Sequence, residues 1–195
     1  MRYAPEHKDA ARAKLVDAAG RGFRRLGFGG IGVDGLAKEA GMTSGAFYGH
    51  FGSKAEAFEA AAVAGLVELR AAIAGLQERE GERWLATFVD FYLSTKRTCE
   101  LGESCALQSL TPEVARAAPA TRAAYEAELL RIVDAVAGGV PGASLEARRK
   151  LAWSILAMLA GGVTLARASD DPKVGGKIAA GLKASIATLA DSAGR

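Results

Sequence analysis

The side chains whose types and spacing best suit a chemical task lie in VDGLAKEAGMTSGAFYGHF, residues 33–51. The task is contact with a nucleic acid duplex. Leu36, Ala37 and Ala40 recur at helical spacing and face inward, Gly41 supplies a turn, and Thr43 stands where a hydroxyl caps a second short helix. Ser44, Gly45 and Ala46 then give that helix a slim leading edge. A slim N-terminal edge lets a helix enter the major groove, where its first residues touch base edges. Tyr48 and His50 carry polar tips and Lys54 adds a cation at phosphate height, while Phe47 and Phe51, four apart, belong to the core.

Other chemistry-bearing patterns are weaker. Gly27-Phe28-Gly29-Gly30-Ile31-Gly32 fits G-x-G-x-x-G, which lets a backbone approach a dinucleotide pyrophosphate, but that use requires a preceding strand. The preceding KLVDAAGRGFRRL is helical in period, so the glycines read as a turn between helices. Cys99 and Cys105 are expected to stay reduced, because the charged N-terminus has no apolar run of a secretory signal. His7 and His50 are not joined by other His or Cys residues in metal-ligand spacing, so no metal and no cofactor is expected. No Ser/His/Asp arrangement or isolated carboxylate pair stands out, and no residue is assigned to catalysis.

The elements that position these residues are helices throughout. Stretches of alternating β-branched residues are absent, while Ala, Leu, Glu, Arg and Lys dominate. A first helix over 8–26 carries Leu15, Ala19, Phe23 and Leu26 on one face and stops at Gly27. Short helices over 33–40 and 44–50 follow, and a long one starts at Lys54 behind the capping box Ser53-Lys54-Ala55-Glu56. Thr111-Pro112 and Asp171-Pro172 each place a capping residue before a proline and predict two more helix starts. Gly138 to Gly142 read as a connector, Ser144 as the cap of a helix running to about Arg167, and the last helix as 173–190.

Composition bounds the rest. With 195 residues, half of them hydrophobic and 24% charged, the chain can bury a real core without disulfides and stands apart from disordered proteins. A net charge of +3 permits nucleic-acid binding but falls short of what an architectural DNA binder without sequence preference would need. The uncharged run from Leu151 to Ala166 is shorter than the roughly 20 residues of a membrane span and reads as a buried helix, so no membrane contact is expected.

The stretch from about Lys8 to Phe58 resembles the DNA-binding domain of the TetR family. The likeness is carried by GMTSGAFYGHFGSK, residues 41–54, which is similar to that family's turn, recognition helix and entry into helix four. It implies an all-α protein with an N-terminal three-helix helix-turn-helix domain over 1–53, joined to a helical effector-binding and dimerisation domain over 54–195. It also implies phosphate contacts at Thr43, Tyr48 and Lys54 and a base-facing role for Ser44, Gly45 and Ala46. Gly32 departs from the family's usual capping Ser or Thr, and Gly49 from a larger and often basic side chain.

Behind that domain the resemblance is architectural. Trp84, Phe88, Phe91, Tyr92, Tyr125, Trp153 and Met158, with Cys105, either line a pocket for an apolar or aromatic effector or serve as plain core. Ala152, Ile155, Leu159, Gly162, Val163 and Ala166 form one apolar stripe and Ile178, Leu182, Ile186 and Leu189 another, which face either a second copy in a homodimer or their own subunit. CALQSLTPEVARA, from Cys105, is similar to a segment in some TetR-type regulators that sense electrophiles or oxidants through cysteine. Glu100 and Glu103 oppose thiolate formation there, so an inert buried cysteine is the stronger reading. Together these features imply a cytoplasmic repressor that grips a near-palindromic operator in double-stranded DNA and is released by a small-molecule effector. A helical enzyme or ligand carrier that merely retains a helix-turn-helix is the alternative.

Overall fold

The computed structural model describes residues 5–194, with side chains from Lys8 onward; the first residues of the charged N-terminus and the side chain of His7 lie outside this range. The described residues form ten α-helices and two short 3-10 turns and no strand. Helix α1 (Pro5–Gly30) is broken at Gly27, whose φ of 73° only glycine adopts freely, so its regular part ends at Leu26 as the sequence predicts. Gly22 inside it has a packing reason, since a Cβ there would stand 2.9 Å from Ile31 Cδ1.

Helices α2 (Val33–Glu39) and α3 (Ser44–Tyr48) form the predicted pair of short helices. The turn between them is a Schellman motif: the Gly41 amide donates to Lys38 O at 2.9 Å and the Met42 amide to Ala37 O at 2.8 Å, with Gly41 at φ 67°. Helix α4 (Lys54–Glu80) starts behind Ser53, whose Oγ accepts from the Glu56 amide at 3.1 Å. The other arm of the box reaches one residue further back than expected, because Glu56 Oε2 accepts from the Gly52 amide at 2.7 Å.

Helices α5 (Trp84–Thr98), α6 (Ala106–Ser109), α7 (Thr111–Val114), α8 (Pro119–Gly139), α9 (Leu145–Ala168) and α10 (Pro172–Ala193) build the body. Ser144 and Asp171 cap α9 and α10 as expected. Thr111 does not cap: it is the first residue of α7, and its hydroxyl donates to Leu107 O. Gly138 and Gly139 belong to α8 and not to the connector, and the Ala118-Pro119 start of α8 has no side-chain cap by which it could have been read.

The core is continuous from head to body. Leu15, Phe23, Leu36, Phe47, Phe51 and Phe58 pack the head, and Leu66, Ile73, Phe88, Ile132, Ile155 and Leu159 the body. Helix α4 belongs to both, with Ala57, Phe58 and Ala61 buried in its first half and Leu66, Leu69 and Ile73 in its second. Helix α9 is long and apolar enough to cross a bilayer, yet Leu151, Ile155, Leu159 and Val163 along it are buried in the core.

That packing corrects the expected dimer stripes. Ile155, Leu159, Gly162, Val163 and Ile186 are buried within one chain, and Ile178 and Leu182 are half-buried. The reason is close approach: a Cβ on Gly162 would collide with Leu182 Cδ1 and stand 3.8 Å from Ile178 Cγ2, so these residues hold α9 to α10. The outward faces of the two helices carry Trp153, Ala157, Gly161 and Leu165, and Val174, Gly181 and Leu189.

Candidate functional site

The N-terminal edge of α3 is exposed and slim. Thr43 has the extended backbone of an N-cap, and its Oγ1 accepts from the Ala46 amide at 3.2 Å, which leaves its own proton free to donate outward. Gly45 and Ala46 are exposed behind it, and Ser44 is half-buried because its hydroxyl donates to Asp34 Oδ1 on α2. Tyr48 is 58% exposed, its ring set edge-on to buried Phe47 with centroids 5.5 Å apart. His50 departs from the expectation of a projecting polar tip: it is half-buried, and its Nδ1 is shielded without a partner.

Lys54 is half-buried and held in place. Its Nζ lies 4.4 Å from the centroid of Phe28, which in turn packs on Phe23 and Phe58, so a cation–π contact fixes the ammonium where α1 ends and α4 begins. Two cations of α1 join this surface. The Arg12 guanidinium sits 5.0 Å from the Phe51 ring centroid, and Lys14 Nζ lies beside the Gly41 turn, 3.8 Å from where a Cβ would stand. Sequence reading missed both, because only the folded head brings α1 against residues some thirty positions away.

A second feature lies at the joint of head and body. A cavity of about 520 Å³ opens between α1, α4, α5 and the segment before α6. Its wall is apolar, with Leu69 and Leu76 from α4 facing Phe88, Phe91 and Tyr92 of α5, and Cys105 stands at its inner end. Charges of both signs surround it: Arg24, Arg79 and Lys96 against Asp17, Glu68 and Glu103. Burial pushes the Cys105 thiol up and the Tyr92 phenol well up, so both are neutral near pH 7.

Of the aromatic candidates, the fold brings Phe88, Phe91 and Tyr92 together with Cys105 in this cavity. Trp84 is core, its Nε1 donating to Gly139 O at 2.8 Å. Tyr125 is also core: its hydroxyl is 2.6 Å from Thr111 Oγ1, and burial pushes its pKa up to about 12. Met158 packs half-buried against the core, and Trp153 lies on the outer face of α9 beside a separate shallow groove. Arg24, Glu68, Lys96 and Glu103 were not read as cavity residues. Nothing in their spacing marks them, since four separate elements supply them.

The cavity is wired to the head. Arg24 Nε donates to Gly102 O at 2.6 Å, in the 3-10 turn that ends at the cavity residue Glu103, and the Phe28 amide donates to Glu113 Oε1 of α7 at 3.3 Å, so α1 is bonded to the body at two points. Among the described residues, no three His, Cys, Asp or Glu side chains are grouped as metal ligands.

Residues 15–61 match the family model described as bacterial regulatory proteins, tetR family. The chain has no significant match among curated protein sequences. Solved structures are similar over nearly the whole chain. A TetR transcriptional regulator from Legionella pneumophila superposes with a TM-score of 0.76 at 16% identity, covering 91% of this chain and 95% of that one. E. coli NemR in its reduced form gives 0.74 at 17%, covering 89% and 95%. A putative TetR-family transcriptional regulator from Mesorhizobium loti MAFF303099 gives 0.70 at 14%, covering 93% and 96%.

Proposed function

We propose that this chain is a regulator of the TetR family, dimeric and sequence-specific, that represses from a near-palindromic operator and is released by a small-molecule effector. The observation that carries the DNA-binding part is the capped, slim and exposed leading edge of α3, set on a packed head whose neighbouring surface is basic. Thr43, Tyr48 and Lys54 serve as phosphate contacts, and Ser44, Gly45 and Ala46 face the bases. Arg12 and Lys14 add to the same electrostatic footprint, and His50 supports α3 from within.

Residues 1–53 act as the DNA-binding unit and 54–195 as the effector and dimerisation unit, with α4 a rigid member of both. The second copy docks on the outward faces of α9 and α10, where Trp153, Leu165, Val174 and Leu189 are exposed. Such large apolar side chains on adjoining helices, spaced by Gly161 and Gly181, suit a four-helix contact. The protein works in the cytoplasm, where the operator is.

Effector release follows from the position of the cavity. A ligand between α1, α4 and α5 changes the packing of Arg24 and of α4, and it thereby favours a separation of the two α3 helices that no longer matches successive major grooves. Selection of duplexes from a random library, followed by footprinting, tests the first half of this reading. A protected two-fold symmetric site, altered by Ala46→Val and merely weakened by Lys54→Ala, is the expected result. Uniform weak binding to every duplex, or enzymatic turnover without protection, would overturn it.

A further inference from the structure

The cavity at the joint of head and body has a floor that differs from its rim. Tyr92 is 1% exposed, lines the cavity, and has a hydroxyl with no hydrogen-bonding nitrogen or oxygen of the protein within reach among the described residues. The other buried phenol of the body, Tyr125, is satisfied by Thr111. Buried polar groups are nearly always paired, and a lone one in a cavity wall marks where a bound molecule supplies the partner. Next to Tyr92 stands the Cys105 thiol, close enough for the two groups to interact. An O–H and a weak S–H donor therefore meet at one end of an apolar slot.

The slot has a definite chemistry. Phe88 and Phe91 on one side face Leu69 and Leu76 on the other, which suits a flat aromatic body. The floor carries no charge, because both Tyr92 and Cys105 are held neutral by burial. At the rim three cations are balanced in sign by three carboxylates, and Lys96 is already turned to Glu103 O at 2.6 Å. A fully charged ligand end would have to be desolvated at the floor with no opposite charge to meet it. A carbonyl oxygen, with two lone pairs and no charge, meets both donors. We propose that the cavity binds uncharged aromatic carbonyl compounds, with the ring against Phe88 and Leu69 and the oxygen accepting from the Tyr92 hydroxyl. The inference rests on the effector reading above for its location and adds the chemical class.

The test compares three probes that share a bicyclic ring: 2-acetylnaphthalene, 2-ethylnaphthalene and 2-naphthoate. Binding to the full chain is measured by calorimetry without DNA, for the native sequence and for Tyr92→Phe. The ketone is expected to bind about tenfold or more tighter than the hydrocarbon and than the carboxylate, and this preference over the hydrocarbon should fall to near unity in Tyr92→Phe. Tyr92→Phe should melt close to the native protein, since the hydroxyl it removes has no nitrogen or oxygen partner and loses only its weak contact with the Cys105 thiol. Equal binding of ketone and hydrocarbon, preference for the carboxylate, no binding of any probe, survival of the ketone preference in Tyr92→Phe, or a clear loss of stability in that variant would each overturn the proposal. Operator release is read separately by gel shift. Ketone binding without release would leave the ligand class standing and retire the effector mechanism, whereas operator binding with no ketone binding would retire the ligand class alone.

Discussion

Lys54 shows how a single side chain can serve the fold and the ligand at once. Its ammonium over Phe28 stabilises the junction of α1 and α4, while in the proposed function the first turn of α4 contributes a phosphate contact. Lys54→Ala is therefore expected to weaken operator and random DNA by similar factors, with the salt slope falling by about one unit for each subunit that loses a phosphate contact. A collapse of the operator-to-random ratio at unchanged slope, in salt titrations on folded variant, would show that Lys54 reads bases instead. The two thiols separate just as clearly. Cys105 is buried with its pKa raised, whereas Cys99 is half-buried at the end of α5 with Arg167 Nη2 3.2 Å from its sulfur. Under native conditions iodoacetamide should label Cys99 well before Cys105, and mass spectrometry that found Cys105 labelled as fast as in the unfolded chain would contradict this burial. At this scale the sequence revealed what is local. Phe47 and Phe51 are both core, as their spacing of four suggests, although α3 ends at Tyr48 and Phe51 lies in the turn beyond it; Thr43 caps because a hydroxyl three residues before an amide has that reach. The bond from Ser44 to Asp34 and the shielding of His50 were not legible, since both depend on how α3 sits on the rest of the head.

At the scale of elements, the seam between α4 and α8 holds the long shared helix in place. Glu128 is 1% exposed and accepts from Arg70 Nε at 2.6 Å and Arg131 Nη1 at 2.8 Å. Thr121 Oγ1 donates to Glu59 at 2.8 Å and Gln77 Nε2 to Ala135 O at 2.8 Å, so bonds of this kind recur along both helices. Burial alone would raise the Glu128 pKa, but the two guanidinium groups outweigh it and hold the carboxyl below its usual value. A carboxyl lowered in the folded state contributes stability above its unfolded pKa, and that contribution is lost as pH falls through the folded value. Glu128→Gln should thus cost about 1–3 kcal/mol near neutral pH, less than for a fully enclosed pair because both arginines reach solvent. The cost should shrink in acid, below the usual carboxylate range. Chemical denaturation at pH 7 and pH 3.5 measures it, and a difference independent of pH would mean the charge is not what stabilises the seam. Element boundaries were legible where a side chain caps locally, as at Ser53, Ser144 and Asp171. They were not legible where tertiary bonds decide, as at Thr111, whose hydroxyl turns to Leu107 and Tyr125.

For the whole molecule, the question is which faces of α9 and α10 are inside. Both helices are apolar on more than one side, so periodicity finds the stripes but not their direction, and the stripe of Ile155, Leu159 and Val163 proves to be the inner one. What decides it is the contact of Gly162 with Leu182, a pairing of two helices that neither segment announces alone. The outer face is left with Leu165 at 62% exposure and Trp153 and Val174 each at 41%, a larger apolar display than scattered surface residues need. Two copies meeting there would bury it in both, and the two heads would then be set at a fixed distance by the shared rigid α4. Leu165→Glu should accordingly give a monomer that keeps its helicity and loses operator affinity by a large factor, because each head then binds one half-site alone. Ile155→Glu should behave differently, since its side chain is fully buried: a carboxylate there has no partner and the chain should lose its cooperative melting transition. Sedimentation and circular dichroism on the two variants separate the cases. A Leu165→Glu protein that still sediments as a dimer would place the interface elsewhere, and an Ile155→Glu protein that stays folded but becomes monomeric would restore the inner stripe as the contact between copies.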